Sequence, residues 1–308
     1  MLTSFFGKSN PVNYLLLGIF IFLGCLVTLL HGLPEVFSWS FALRSIVVIV
    51  LCIFSMLLVD FIIRKNGLTR SNTYGILFFS CFLVMFPAVF SEVDILLANV
   101  FLLLATRRIL SLKSEKNTEK KVLDATLWIT IGAFFYFYAI LFFAVLIIAI
   151  LRKKHTTYKH TLIPLVGFFG VFIVVTAYKY LWDDSFDWYF SWRKSISFDF
   201  SIYNSASILI PTTVLLTLMV WTGVYRVISF SSVSKKERPN YLLMVFMAGV
   251  AIVMALASPV KTGAEVLFLL APAAIIITNY IEHLKEFWFK ELLVALTVLL
   301  PVVLFFFL

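Results

Sequence analysis

Apolar runs long enough to cross a membrane follow one another along almost the whole chain, and this pattern constrains the fold more than any motif does. A helix rises about 1.5 Å per residue and the hydrocarbon core of a bilayer is about 30 Å thick, so one span takes about 20 apolar residues. Only 13% of the residues are charged, against about 25% in soluble domains. The polar intervals are too short for a soluble domain. The sequence therefore predicts a single all-α integral membrane domain over residues 1–308.

Polar and charged breaks divide the apolar sequence into eleven predicted spans. The fourth span is short. The fifth and sixth are cut from one apolar run, residues 123–151, which one long tilted helix could also explain; every later span would then change sides. The predicted spans are residues 12–30, 45–63, 73–90, 94–106, 123–136, 138–151, 161–179, 206–225, 241–257, 265–281 and 292–308.

The distribution of Lys and Arg favours two helices in the disputed run, because cytoplasmic loops of membrane proteins retain positive charge. With eleven spans and the amino terminus inside, 20 of the 25 Lys and Arg residues lie inside. Fusing the two helices would put later basic loops on the opposite side from the loop at 107–121. The sequence therefore predicts a carboxyl terminus outside. The five cations left outside are Arg44, Lys179, Arg193, Lys194 and Lys261.

The same topology explains the formal net charge of +9 without a nucleic-acid partner. The inner side holds 20 basic and 8 acidic residues, a net charge of +12, and the outer side holds 5 basic and 8 acidic residues, a net charge of −3. Basic inner loops suit anionic headgroups, so membrane lipids are expected partners. A bacterial inner membrane is the simplest location for such a multi-pass protein.

Carboxylates and cations of separate outer loops would meet near the outer surface if the spans form one bundle. Glu35 lies in the first outer loop, and Glu92 and Asp94 lie in the second. A lipid-linked sugar donor offers a phosphate leaving group that Arg or Lys can hold, while a carboxylate accepts the proton of an acceptor hydroxyl. The cations predicted to hold that phosphate are Arg44, Arg193, Lys194 and Lys261.

The longest outer loop, residues 180–205, mixes aspartates, an Arg-Lys pair and three tryptophans. Aromatic residues at a membrane boundary commonly form an interfacial belt. The segment DWYFSWRK also allows an amphipathic helix on the outer surface, because Trp188 and Trp192 are four residues apart and would share one face. Both interpretations place this loop at the membrane surface.

Few polar side chains lie inside the predicted spans. Glu92, Asn99 and Thr106 recur every seven residues, so they share a face that should turn toward protein or a water-filled cleft, because lipid would leave Asn99 unpaired. An interhelix hydrogen bond is expected for Asn99. No Asp, Glu, Lys or Arg lies near the middle of a span, which disfavours an ion-coupled transporter. The sequence lacks phosphate loops, nucleophile elbows and metal-spaced His or Cys sets. The cysteines are predicted to be small hydrophobic side chains: Cys25, Cys52 and Cys81.

Three segments carry a resemblance to a known family: MLTSFFGKSNPVNYLLLGIF, ANVFLLLATRRILSLKSEKNTEKKVLDATLWITIGAFFYFYAILFF and SPVKTGAEVLFLLAPAAIIITNYIE. Along its whole length the chain resembles a family of uncharacterised inner-membrane proteins of Bacteroidota, known as a domain of unknown function. That resemblance implies no activity.

A second, more distant resemblance concerns the order of loops in the first half of the chain. An acid in the first outer loop, an acidic second loop leading into ANVFLLLATRR, and two short helices after it resemble the membrane part of GT-C glycosyltransferases, which use polyprenyl-phosphate sugars. By position, Glu35 would match the first-loop acid that acts as base or binds the acceptor, and Glu92 or Asp94 the second-loop acid. The acidic pair common in that superfamily and the large outer domain of many members are missing.

The resulting prediction is a GT-C-like helical bundle that transfers a sugar from a polyprenyl-phosphate carrier at the outer face. Glu92 and Asp94 would shape the site or bind a divalent cation. Two alternatives stay open. One is a non-enzymatic membrane subunit or scaffold of a cell-envelope assembly, with a membrane-protein partner. The other, which the apolar midplane disfavours, is a lipid or solute transporter.

Overall fold

The computed structural model describes residues 2–31, 38–114, 116–153, 157–228 and 238–304, and in these ranges the chain forms helices and no strand. Short 3₁₀ helices lie at Pro87–Ser91, Phe137–Phe142, Ser201–Asn204 and Ala264–Val266. The α-helices are α1 (Leu2–Phe6), α2 (Pro11–His31), α3 (Trp39–Asn66), α4 (Tyr74–Val84), α5 (Val93–Ser111), α6 (Thr118–Phe135), α7 (Phe143–Leu151), α8 (Tyr158–Asp183), α9 (Trp188–Trp192), α10 (Ala206–Ile228), α11 (Arg238–Ala257), α12 (Leu267–His283) and α13 (Phe287–Leu304).

Within the described ranges, seven helical segments are long and apolar enough to cross a bilayer. They are α2, α3, α8, the part of α10 up to Tyr225, α11, the segment Ala264–His283 that includes α12, and α13. The protein is therefore an all-helical membrane protein.

Each of the eleven predicted spans falls on one helix or on a helix with its 3₁₀ extension, although residues 305–308 of the last one lie outside the described ranges. The third to sixth spans fall on helices that are shorter or that carry charges near their ends. The count of eleven crossings and the orientation of the termini stay predictions.

The division of the apolar run at 123–151 into two helices is confirmed. α6 ends at Phe135, and Tyr136 adopts extended backbone angles (φ −136°, ψ 105°) before the 3₁₀ helix and α7 continue. The hydroxyl of Tyr136 donates a hydrogen bond to the carbonyl of Met254 on α11 at 2.9 Å. A long-range contact thus holds the chain at the residue where one helix stops and the next begins.

α4 and α12 form the centre of the bundle. Every residue of α4 is buried, and so is α12 from Leu267 to Ile281. The two helices pack on each other, and α2, α3, α11 and α13 surround them. The three cysteines, which lie on α2, α3 and α4, are buried and free, as expected for small hydrophobic side chains.

The peripheral helices present apolar side chains to the surroundings. α8 exposes a long stripe that includes Leu165, Val166 and Ile173, as expected of a helix surface in contact with lipid. Its inner side approaches α6 closely at Gly167, where an added Cβ would lie 2.6 Å from a methyl group of Thr126. A side chain at this position would force Thr126 to shift, so Gly167 allows the close approach of α6 and α8.

Two clusters of polar residues mark opposite ends of the bundle. One cavity is lined by Glu92 and Asp94, at the start of α5, and another by Lys113, just beyond its end. Because α5 is a helix of 19 residues, the two cavities are roughly 28 Å apart along its axis. We call the end with Glu92 and Asp94 the acidic end and the end with Lys113 the basic end.

Candidate active site at the acidic end

A cavity of about 610 Å³ opens at the acidic end between the start of α5, the end of α6, α9 and the loop after α11. Carboxylates, ammonium groups and aromatic rings share its lining. The side chains that give it this character are Glu92, Asp94, Lys179, Lys194, Trp188 and Trp192. Of the seven residues predicted for the site, the structure thus brings Glu92, Asp94 and Lys194 together around one cavity.

Glu92 lies between the 3₁₀ helix Pro87–Ser91 and α5, at the N-cap position. Its carboxylate does not cap the helix and makes no hydrogen bond to any described residue. Burial raises the pKa of this carboxyl, Asp94 and Glu265 raise it further, and Arg44 acts in the opposite direction. A carboxylate with a raised pKa and no hydrogen-bond donor is a better base than an ordinary surface Glu.

Arg44 lies beside Glu92 but does not line the cavity. Its guanidinium donates a hydrogen bond to the backbone carbonyl of Ser91, the residue before Glu92. The contact joins the start of α3 to the loop that carries Glu92. Arg44 therefore lies where it stabilises the Glu92 carboxylate, and a contact between Arg44 and a ligand phosphate stays a prediction.

The aromatic wall of the cavity is fixed by the end of α6. The carbonyl of Ala133 has no helical partner because α6 stops at Phe135, and the indole N–H of Trp192 donates to it at 2.8 Å. Trp192 also stacks on Phe134, with ring centroids 5.2 Å apart. The ring centroids of Trp188 and Trp192 lie 5.8 Å apart on one side of α9, so the prediction that the two rings share one helix face is confirmed.

Of the Arg-Lys pair after α9, Lys194 lines the cavity and Arg193 does not. The hydroxyl of Tyr138 donates to the backbone carbonyl of Lys194 at 2.8 Å, which positions this residue at the cavity. Arg193 is exposed and does not line it. A second ammonium group at the cavity belongs to Lys179, which pairs with Asp183 one turn later at 3.9 Å.

Lys261 forms hydrogen bonds within the fold and does not line the cavity. Its ammonium group is buried and donates to three backbone carbonyls at the carboxyl end of α11, those of Ala255 (3.1 Å), Leu256 (2.6 Å) and Ser258 (3.0 Å). Burial lowers the pKa of Lys261, and Glu265 acts in the opposite direction. The three carbonyls use all three donors of the ammonium group, so the predicted phosphate contact would require these bonds to break.

Comparison with known proteins gives a family and no activity. The model of DUF6427, a family of unknown function, matches residues 2–308. The chain belongs to DUF6427. No curated protein matches it, and no solved structure does. The resemblance to an uncharacterised family is thereby confirmed, whereas the resemblance to GT-C glycosyltransferases stays a prediction.

In this DUF6427 chain the acidic end also contains a buried carboxylate, Glu265, that was not predicted as part of a site. Glu265 is fully buried and accepts hydrogen bonds from the Tyr203 hydroxyl at 2.8 Å and from the Thr262 backbone N–H at 3.1 Å. Burial and then the Glu265 carboxylate raise the pKa of Tyr203, so Tyr203 remains a donor. The sequence signal was TGAE before an apolar run, which is the pattern of a helix capping box.

Glu35, the acid predicted for the first outer loop, lies outside the described residues.

The predicted interhelix hydrogen bond of Asn99 is not found for its side-chain nitrogen. Asn99 is 2% exposed, and this nitrogen has no hydrogen-bond partner among the described residues. Asn99 and Thr106 line one small cavity of about 30 Å³ beside Pro272, which confirms that they share a face turned toward protein. A cavity of this size can hold one buried water.

Proposed function

We propose that this protein is a membrane enzyme that transfers a sugar from a polyprenyl-phosphate carrier to an acceptor hydroxyl in the cavity at the acidic end. One observation supports the proposal above the others: Glu92, Lys194 and a wall of two tryptophans line the same cavity of about 610 Å³. A base, a cation and an amphipathic aromatic surface are the parts that such a transfer requires.

The reaction assigns one role to each part. The acceptor hydroxyl oxygen attacks the anomeric carbon of the donor sugar, and the bond from that carbon to the phosphate oxygen breaks. The phosphate leaves with the bonding electron pair, and the ammonium group of Lys194 balances its charge. The Glu92 carboxylate takes the proton of the acceptor hydroxyl as the new bond forms. Trp188 and Trp192 pack against the less polar face of the sugar ring.

The membrane arrangement follows from the distribution of charge. With eleven crossings and the amino terminus inside, the acidic end faces outward and the basic end faces inward. The proposed reaction therefore takes place at the outer face of a bacterial inner membrane. A carrier with a long polyprenyl chain would reach the cavity from the outer leaflet.

A divalent cation is compatible with the cavity if the substrate supplies part of its coordination. Glu92 and Asp94 provide two carboxylates, and the described residues contain no group of three or more His, Cys, Asp or Glu side chains placed to hold a metal. Mg²⁺ commonly binds one or two carboxylates together with substrate phosphates and water. Such an ion would add positive charge beside the leaving phosphate.

The test compares envelope glycans and lipid-linked sugars in a wild-type strain, a deletion strain and complemented strains. Glu92→Gln keeps the shape of the side chain and removes the base, and Lys194→Met removes the cation. Asp184→Asn is the matched control, because Asp184 is an exposed acid at the same end, outside the cavity, and its left-handed backbone (φ 48°) tolerates Asn.

We expect the deletion to accumulate a lipid-linked sugar, and we expect Asp184→Asn to restore the wild-type pattern. Glu92→Gln should fail to restore it at equal protein abundance, with a loss of at least about 100-fold in transfer, as is typical for removal of a general base. Unchanged glycans in the deletion strain, or full complementation by both cavity variants, would refute the proposed sugar-transfer activity. Unchanged glycans with a co-purifying membrane protein would favour the scaffold instead.

A further inference from the structure

A second cavity lies at the basic end, remote from the proposed active site. It has a volume of about 360 Å³ and is formed by the end of α5, the end of α7 and the start of α11. Three cationic residues line it: Lys113, Arg152 and Lys153. No Asp or Glu is among the described residues of its lining. The charged side chains in the described part of the lining would therefore all attract an anion.

The cations of this cavity are held in place to different degrees. Arg152 donates to the backbone carbonyl of Pro239 at 3.2 Å, which joins the end of α7 to the start of α11. The ammonium group of Lys153 donates to the Thr118 hydroxyl. The exposed side chain of Lys113 makes no hydrogen bond or ion pair with another described residue. Two cations are thus positioned by the fold and the third can move toward a ligand.

The first turn of α11 adds a second feature that suits an anion. Pro239 and Asn240 line the cavity from the amino-terminal end of this helix of 20 residues. The backbone N–H groups of a first turn have no intrahelical acceptor, and the helix dipole is positive there. Asn240 is 7% exposed, and no described residue forms a hydrogen bond with its side-chain amide. A buried amide at a cavity wall is a donor for a ligand oxygen.

Two other cations near the cavity, Lys121 and Arg108, already have partners of their own. The ammonium group of Lys121 is occupied by the carbonyls of Ser111 (2.8 Å) and Ser114 (3.0 Å). Lys121 precedes the apolar part of α6, and its pKa is lowered by burial and then by Lys153 and Arg108. Arg108 has a carboxylate partner, Asp124, at 2.9 Å. Lys113 and Arg152 have no carboxylate partner among the described residues of the cavity lining.

The rest of the lining is apolar, and this favours a lipid phosphate over free inorganic phosphate as the bound anion. Ile109, Leu112, Ala149 and Leu243 form this part of the wall, and they belong to helices whose apolar portions continue into the bundle. A free phosphate would leave that surface uncovered, whereas a lipid phosphate would cover it with the start of its acyl chains. Basic pockets between helices on the inner side are the usual form of an anionic-headgroup site.

We propose that the cavity bounded by Lys113, Arg152 and Asn240 binds the phosphate of an anionic membrane lipid. The phosphate oxygens accept hydrogen bonds from the two cations, from the Asn240 amide and from the first turn of α11. The acyl chains lie against the apolar wall. This site does not depend on the proposed sugar transfer, because it lies at the opposite end of the bundle and shares no lining residue with the other cavity.

The test uses the purified full-length chain in a neutral detergent and native mass spectrometry. The probes are phosphatidylglycerol and phosphatidylcholine with identical acyl chains, and inorganic phosphate alone. Lys113→Gln combined with Arg152→Gln removes two cations from the cavity. Lys116→Gln combined with Lys120→Gln is the matched control, because it removes the same charge from exposed residues at the same end, outside the cavity.

We expect the wild-type chain to bind phosphatidylglycerol at least about tenfold more tightly than phosphatidylcholine, as two charge-assisted contacts allow. The cavity double variant should lose that preference and the control should keep it. If the double variant is produced in low yield because it lacks the contact between Arg152 and Pro239, Lys113→Glu alone replaces it in the same test. Equal binding of the two lipids, or an equal loss in the control, would overturn the proposal. Tight binding of inorganic phosphate without any lipid preference would overturn the lipid assignment.

Discussion

Replacing Lys261 with Met removes the ammonium group that holds the carboxyl end of α11 and keeps most of the aliphatic stem. The change distinguishes two roles for this residue. As a donor-phosphate ligand, Lys261 would be needed for activity and not for stability. As a cap on the carbonyls of α11, it would be needed for stability first.

The size of the effect follows from three hydrogen bonds in a buried setting. Lys261 is 6% exposed and its donor-acceptor distances are 3.1, 2.6 and 3.0 Å. A hydrogen bond to a charged group contributes about 1.5–3 kcal/mol, but bonds that share one donor group are not additive and water can reach some of the freed carbonyls. We expect a loss of about 3 kcal/mol, which corresponds to a fall of ~5 °C in Tm for a chain of this size.

The assay is thermal unfolding of the purified protein in detergent, followed by the fluorescence of its seven tryptophans. Lys194→Met is the matched control, because Lys194 is an exposed lysine at the same end and its side chain has no hydrogen-bond or ion-pair partner among the described residues. Its Tm should change by less than about 1 °C, as usual for a surface substitution. A Lys261→Met variant with unchanged Tm and lost sugar transfer would refute the capping role and support phosphate binding.

Three further predictions concern helix packing, the aromatic wall and pH. Gly167→Ala should destabilise the protein by about 1–3 kcal/mol through the clash with Thr126, whereas Gly170→Ala, which faces open space, should not lower Tm. Trp192→Phe should cost about 1 kcal/mol in thermal unfolding by leaving a helix carbonyl without its donor. Because the folded state raises the pKa of Glu92, it binds this proton more tightly than the unfolded state. Stability should therefore decrease as pH rises from 4.5 through that raised pKa, and Glu92→Gln should flatten this part of a pH series of unfolding measurements.

The positions of the helices could be predicted from the sequence because the thickness of a bilayer sets the length of an apolar run. The charges of distant loops predicted two helices in the run 123–151, and the predicted boundary between residues 136 and 138 lies one residue beyond the observed break at Tyr136. The central position of α4 could not be predicted. Lipid and protein interior are equally apolar environments for Leu, Ile and Phe, so an apolar composition does not tell a central helix from a lipid-facing one.

The candidate site was predictable to the extent that loop charges converge at one end. Glu92, Asp94 and Lys194 do line one cavity. The occupation of Lys261 by backbone carbonyls depends on where α11 ends relative to the following turn, at Gly263 with φ 85°. Neither the hydropathy pattern nor the charge pattern predicts where α11 ends relative to that turn. The contact between the Glu265 carboxylate and the Thr262 backbone N–H could have been inferred from the capping-box pattern, since a capping carboxylate turns back toward its own chain.

α5 extends from one proposed site to the other, and residues along it line three separate cavities. Glu92 and Asp94 line the cavity at its start, Asn99 and Thr106 line the small central cavity, and Lys113 lines the cavity beyond its end. The central space of about 30 Å³ is large enough for one water and far smaller than a sugar or a phosphate. Its remaining described lining is almost entirely apolar, so a charged group would lose its hydration there without compensation. This arrangement argues for separate binding at the two faces and against a route for a polar solute along α5.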